Sequence, residues 1–142
     1  MYRFAVLLGL ALAAPGAQAE DPLPANSFGD SYGRYAPGGD CTREPLITVA
    51  ATGLEIRVGG ASERIAQPEV AWSYFGQDYE GIVRTVFPYA GAERPVIMLL
   101  NDGEVPGALR IEPHDRGYPG GPPLSARHQT LVDGSPYARC GD

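Results

Sequence analysis

The sequence contains no lysine. Its 11 basic residues are all arginine and stand against 17 acids, for a formal net charge of −6 over 142 residues. Without lysine there is no Schiff-base chemistry and no P-loop lysine. With acids in excess and no basic stripe, the chain cannot displace counterions from a nucleic-acid backbone, so nucleic acid is excluded as a partner. Histidine is almost as scarce. His114 and His128 are the only two, and their spacing, even with Asp115 or Asp133 added, matches no zinc pattern. No motif requires a metal or any other cofactor. Long apolar runs are missing too. The longest, residues 4–14 (FAVLLGLALAA), falls short of the roughly 20 residues a membrane-spanning helix needs. The length suits one domain and leaves no room for several.

That apolar run has the layout of an export signal. Arg3 precedes it, Pro15-Gly16 breaks it, and Ala17-Gln18-Ala19 offers a small-x-small cleavage site. Residues 1–19 are therefore read as a removable leader, with a periplasmic or secreted product and no membrane span after its removal. The mature chain would keep 10 Arg and all 17 acids, a charge near −7 (10 − 17). In an oxidising compartment the isolated pair Cys41 and Cys140 is expected to form a disulfide. It would close a loop of 99 residues (140 − 41), worth about 5 kcal/mol in the chain-entropy model.

Residues 20–31 are polar and broken by proline, and read as a flexible N-terminal segment. Residues 32–142 are expected to form one β-rich domain. Residues 46–49 (LITV) are apolar and mostly β-branched. Residues 54–58 (LEIRV) alternate strictly, placing Leu54, Ile56 and Val58 on one face. Gly53 between them can adopt a tight-turn conformation. Further strands are expected at 70–75 (VAWSYF), 81–87 (GIVRTVF), 95–100 (PVIMLL) and 108–112 (ALRIE). The unbroken run at 95–100 should be covered on both faces, and Asn101-Asp102-Gly103 suits a turn. Ser125 should cap a short helix over 126–132 that ends at Gly134. The expectation is a mainly β fold: an antiparallel sheet, small barrel or sandwich of six to seven strands with one short C-terminal helix.

Candidate chemistry concentrates in two places. The irregular stretch 113–124 (PHDRGYPGGPPL) carries His114, Arg116 and Tyr118, a donor fork and an amphipathic ring suited to protein contact. His114 beside Asp115 would serve an envelope hydrolase only if a hydroxyl such as Ser125 or Ser135 reached it. The second place is the aromatic stretch around Trp72 and Tyr74, which could line an interior ligand pocket or simply pack as core.

Four runs extend these readings: residues 35–41 (YAPGGDC), 101–104 (NDGE), 118–123 (YPGGPP) and 135–140 (SPYARC). Together they resemble a set of small exported proteins of Gram-negative bacteria. That resemblance implies export and β structure and no mechanism. The overall plan is also similar, in architecture alone, to periplasmic lysozyme inhibitors. The function expected is a non-enzymatic periplasmic binding module. Its partner would be a basic envelope protein, such as a cationic enzyme held inhibited, with His114, Arg116 and Tyr118 in contact. The alternatives are a small-ligand binder and a hydrolase.

Overall fold

The computed structural model describes residues 16, 18–115, 119 and 121–141. The leader 1–19, apart from residues 16, 18 and 19, lies outside the described residues, as do Arg116 and Tyr118.

Nine strands form one antiparallel sheet in the order β4-β3-β2-β1-β9-β8-β7-β6-β5. They are β1 (Gly33–Pro37), β2 (Leu46–Ala50), β3 (Gly53–Val58), β4 (Ala61–Ile65), β5 (Glu69–Val70), β6 (Arg84–Phe87), β7 (Val96–Leu100), β8 (Ala108–Pro113) and β9 (Tyr137–Arg139). Apart from β4 and β5, each strand pairs with its neighbours in sequence, and the last pairs with the first. This is the order of an up-and-down barrel with one seam, between β4 and β5. Every ladder is antiparallel, so counting directions round the sheet sets β4 and β5 in the same sense. Only residues 66–68 separate them. They act as two halves of one run that pairs first with β3 and then with β6, which curls the sheet into a half-barrel.

The fold is therefore mainly β and antiparallel, as the alternating segments predict, but with nine strands instead of six to seven. The additional strands are β1, β4 and β9. The sequence of β1 begins with glycine and ends with proline, and β4 (ASERI) lies at the seam with no buried residue. Neither carries the alternation that marks a half-buried strand. In the opposite direction, 70–75 is a strand only as far as Val70. Beyond it the backbone turns repeatedly, with Tyr74 N–H on Ala71 O at 3.4 Å and Gly76 N–H on Ser73 O at 3.0 Å. Strand β5 has a ladder partner on one side only, so nothing holds its continuation in the sheet. Strand β6 likewise begins at Arg84 and not at Gly81.

One face of the sheet carries the core. Ile47, Val49, Leu54, Ile56, Val86, Met98, Leu100, Leu109 and Ile111 are buried there together with Tyr35 and Tyr137. Strand β7 is buried along its whole length, as its unbroken apolar run requires. Gly53 has φ +122°, and a Cβ there would collide with the carbonyl of Ile65, so the β2–β3 hairpin needs glycine at this position.

Short helices plug the core. Helix α1 (Ala25–Phe28) and the 3-10 turn Gly29–Ser31 occupy the segment read as flexible. Leu23 and Phe28 are fully buried, and Tyr32 Oη donates to Leu23 O at 2.6 Å. That expectation is corrected: polar composition outweighed two apolar side chains that find a place in the core. Helix α2 (Ala126–Asp133) starts where Ser125 Oγ accepts from His128 N–H at 3.1 Å. It buries Leu131, whose carbonyl accepts from Tyr137 Oη at 2.5 Å. Cys41 and Cys140, just beyond the paired strands β1 and β9, form a disulfide with their Cα atoms 5.8 Å apart. Among the described residues no helix is long and apolar enough to cross a membrane.

Candidate functional site

The turns that follow β5 make a strap over residues 71–83, rich in aromatic side chains. Trp72 is 64 % exposed, and Tyr74, Phe75 and Tyr79 are also exposed. They are exposed yet ordered against one another. Tyr74 and Phe75 meet edge to face at 5.0 Å, Phe75 and Tyr79 are 5.1 Å apart, and the ring of Trp72 stands 5.7 Å from that of the buried Phe28. These separations lie in the favourable range for aromatic pairs. Beneath the rings is a cleft of about 350 Å³, lined by Trp72, Tyr74, Phe75, Tyr79, Glu80 and Arg84, with Thr85 among its remaining residues. Its volume lies toward the lower end for small-molecule sites.

The strap is tied down by polar contacts. Tyr79 Oη donates to Glu104 Oε1 and accepts from Val83 N–H at 3.0 Å. Glu104 Oε2 accepts from Ile82 N–H at 2.8 Å. These donors favour the charged carboxylate and hold Glu104 below the usual carboxylate range, the Tyr79 hydroxyl being the larger cause. Partial desolvation and then Glu104 itself push Tyr79 up. At Gly81 a Cβ would meet the Tyr79 hydroxyl and the Glu104 carboxylate, so a larger residue there would displace the ends of both side chains. Behind the strap Asn101 is fully buried. Its Nδ2 donates to Ser31 Oγ at 3.1 Å and to Ile82 O at 3.2 Å, and its Oδ1 accepts from Gly107 N–H at 3.0 Å.

Arg84 forms part of the cleft wall and is held by carbonyls. Its Nε donates to Ser27 O at 2.9 Å, and its Nη1 donates to Gly81 O at 2.8 Å and Val83 O at 3.2 Å. None of the ion pairs among the described residues includes it. Thr85, 3 % exposed, has a buried Oγ1 with no hydrogen-bond partner.

The structure places the sequence candidates apart. Trp72 and Tyr74 stand outside the sheet, and the sheet interior is filled by the core, so the interior pocket becomes a surface cleft. The reason is the early end of β5, which leaves the aromatics on turns. His114 follows β8. Its Nε2 lies 3.4 Å from Asp115 Oδ1, and its ring is 4.9 Å from Phe87. Asp115 Oδ2 accepts from Arg94 N–H at 2.8 Å, and Arg94 Nη2 donates to both carboxylate oxygens of Glu69, at 2.7 and 2.9 Å. Neither serine named for a triad attends His114. Ser125 Oγ caps α2, and Ser135 Oγ accepts from Ile111 N–H at 2.9 Å. No group of three or more His, Cys, Asp or Glu side chains able to hold a metal ion occurs among the described residues.

The sequence places Arg84 and Thr85 in a strand and Glu104 in the 101–104 run, and gives no sign that they meet at the strap. The available signal, for the strap alone, was the turn formers Ser73, Gly76, Gln77 and Asp78 among the aromatics, which argue for a loop over a strand. Compared with protein-family models, with curated proteins and with solved structures, the chain matches none.

Proposed function

We propose that the chain is a non-enzymatic binding module working outside the cytoplasm, with the aromatic cleft of residues 71–85 as its recognition surface. One observation carries this reading. The only tryptophan and three further aromatic side chains are exposed on one tied-down strap at the mouth of a cleft of about 350 Å³, while the sheet interior is filled. Large exposed apolar groups gathered in one patch mark contact sites, and Trp, Tyr and Arg are the residues that most often dominate binding. The leader-like segment 1–19 and the Cys41–Cys140 disulfide support a periplasmic or secreted location.

A basic envelope protein as partner draws on the same strap. Asp78 and Glu80 flank its rings, and the chain carries net charge −6, so approach of a cation is electrostatically favoured. In this version the strap replaces the 113–124 stretch as the contact surface.

Amide-shift mapping with a library of small ring-containing fragments tests the proposal. Perturbed amides are expected to cluster over residues 26–27 and 70–85. Clustering around His114, or no fragment in the cleft, would overturn it.

A further inference from the structure

We infer that the cleft takes a methylated ammonium group, a quaternary cation of the choline type, with its methyl groups on the exposed faces of Trp72, Tyr74 and Phe75 and its charge toward Glu80. This rests on the cleft being the recognition surface and goes beyond it by naming the group bound.

The rings come first. Trp72, Tyr74, Phe75 and Tyr79 all line the cleft, and all are exposed. Their planes differ: Phe75 stands at 88° to Tyr74 and at 40° to Tyr79. The patch therefore offers ring faces in several directions and no single flat platform, which suits a round group over a planar one. The face of each ring is electrically negative and attracts a cation, most strongly at tryptophan.

Charge is a second, independent observation. Glu80 lines the cleft, and Asp78 lies close by on the strap. Both are exposed, and no ion pair among the described residues uses either. Arg84 is the one basic residue in the described lining. Its guanidinium is held by three carbonyls. Its charge is offset by Glu104, which the Tyr79 hydroxyl, Ile82 N–H and Arg84 together hold below the usual carboxylate range. Asp78 and Glu80 are left as acids without a basic partner.

Hydrogen bonding separates one cation from another. The carbonyls of Ser27, Gly81 and Val83 already accept from Arg84, and both oxygens of Glu104 are engaged by Tyr79 and Ile82 N–H. A primary ammonium or a guanidinium entering the cleft would give up hydrogen bonds to water and recover few of them. A trimethylammonium group has no N–H to satisfy. It brings apolar methyl surface to the rings and needs only the charge of Glu80 beside it.

Four probes test the inference on the intact chain, read by Trp72 fluorescence and by amide shifts over residues 71–83. They are choline; 3,3-dimethyl-1-butanol, in which carbon replaces the charged nitrogen; ethanolamine, which lacks the methyl groups; and methylguanidinium, which stands for an arginine side chain. Choline is expected to bind about tenfold more tightly than each of the others. Glu80→Gln is expected to weaken choline about threefold, the scale of an exposed charge pair, and to leave 3,3-dimethyl-1-butanol unchanged. Choline binding accompanied by co-sedimentation with phosphatidylcholine vesicles, and not with phosphatidylglycerol ones, identifies a lipid headgroup as the source; choline binding without it identifies a soluble ligand. Equal binding of choline and 3,3-dimethyl-1-butanol, or an unchanged choline affinity in Glu80→Gln, overturns the inference and leaves the cleft reading standing. Ethanolamine or methylguanidinium binding as tightly as choline overturns it in favour of a basic side chain of a partner. If none of the four probes binds where ring fragments map to the cleft, the inference alone falls. If ring fragments avoid the cleft as well, both fall.

Discussion

Replacing Asn101 by alanine should cost the fold about 3–5 kcal/mol. Two effects add up. The carboxamide makes three good hydrogen bonds, to Ser31 Oγ, Ile82 O and Gly107 N–H. A typical intramolecular hydrogen bond contributes about 0.5–1.5 kcal/mol, and more when a buried partner is left unsatisfied. The backbone also sits at φ +54°, where alanine is less favourable than glycine by about 1 kcal/mol or more. Asn101→Gly separates the two. It keeps the backbone comfortable, loses the same hydrogen bonds, and should be the more stable variant by about 1 kcal/mol. Urea unfolding followed by far-ultraviolet circular dichroism measures both. If Asn101→Ala stays within about 1 kcal/mol of the parent, Asn101 is not the link between the 3-10 turn, the strap and the β7–β8 connection. The reasoning about how the cleft is anchored would then fail.

Reduction of Cys41–Cys140, or its replacement by serines, should lower stability by up to about 5 kcal/mol in the chain-entropy model for a 99-residue separation. Comparing unfolding with and without reductant measures it, and an unchanged midpoint contradicts it. Thr85→Val should hold or raise stability by about 1 kcal/mol, because it removes a buried hydroxyl without a partner; a loss above that in thermal unfolding would mean the hydroxyl is satisfied. The Glu104 carboxyl lies below its ordinary value in the folded chain, so its support of the strap is complete above the unfolded value and fades as the pH falls through the folded one. Hydrogen exchange at Ile82 and Val83, corrected for intrinsic rates, should show protection near neutrality that is lost in strong acid, and pH-independent protection would argue against the latch.

Much of the sheet was legible because burial on one face imprints alternation. Residues 54–58 and 108–112 alternate, and the fully covered β7 reads as a continuous apolar run. The helix and its Ser125 cap were equally plain. Strands β1 and β9 were hidden for a different reason. They owe their place to pairing across the whole chain, Tyr35 opposite Ile47 and Arg139, and such long-range contacts leave no local pattern. The strap was misread because Trp72, Tyr74 and Phe75 favour strands wherever a partner is present, and β5 has none on its outer side. The cleft was hidden for the same reason. Arg84 takes its place in the cleft wall only through carbonyls as distant in sequence as Ser27.

The most direct test is the environment of Trp72, the sole indole in the chain. The account predicts red-shifted emission that acrylamide quenches freely in the native protein, because the ring stands outside the sheet at the mouth of the cleft. Blue-shifted emission protected from quencher until the chain unfolds would mean that the strap packs as core, with no recognition surface there.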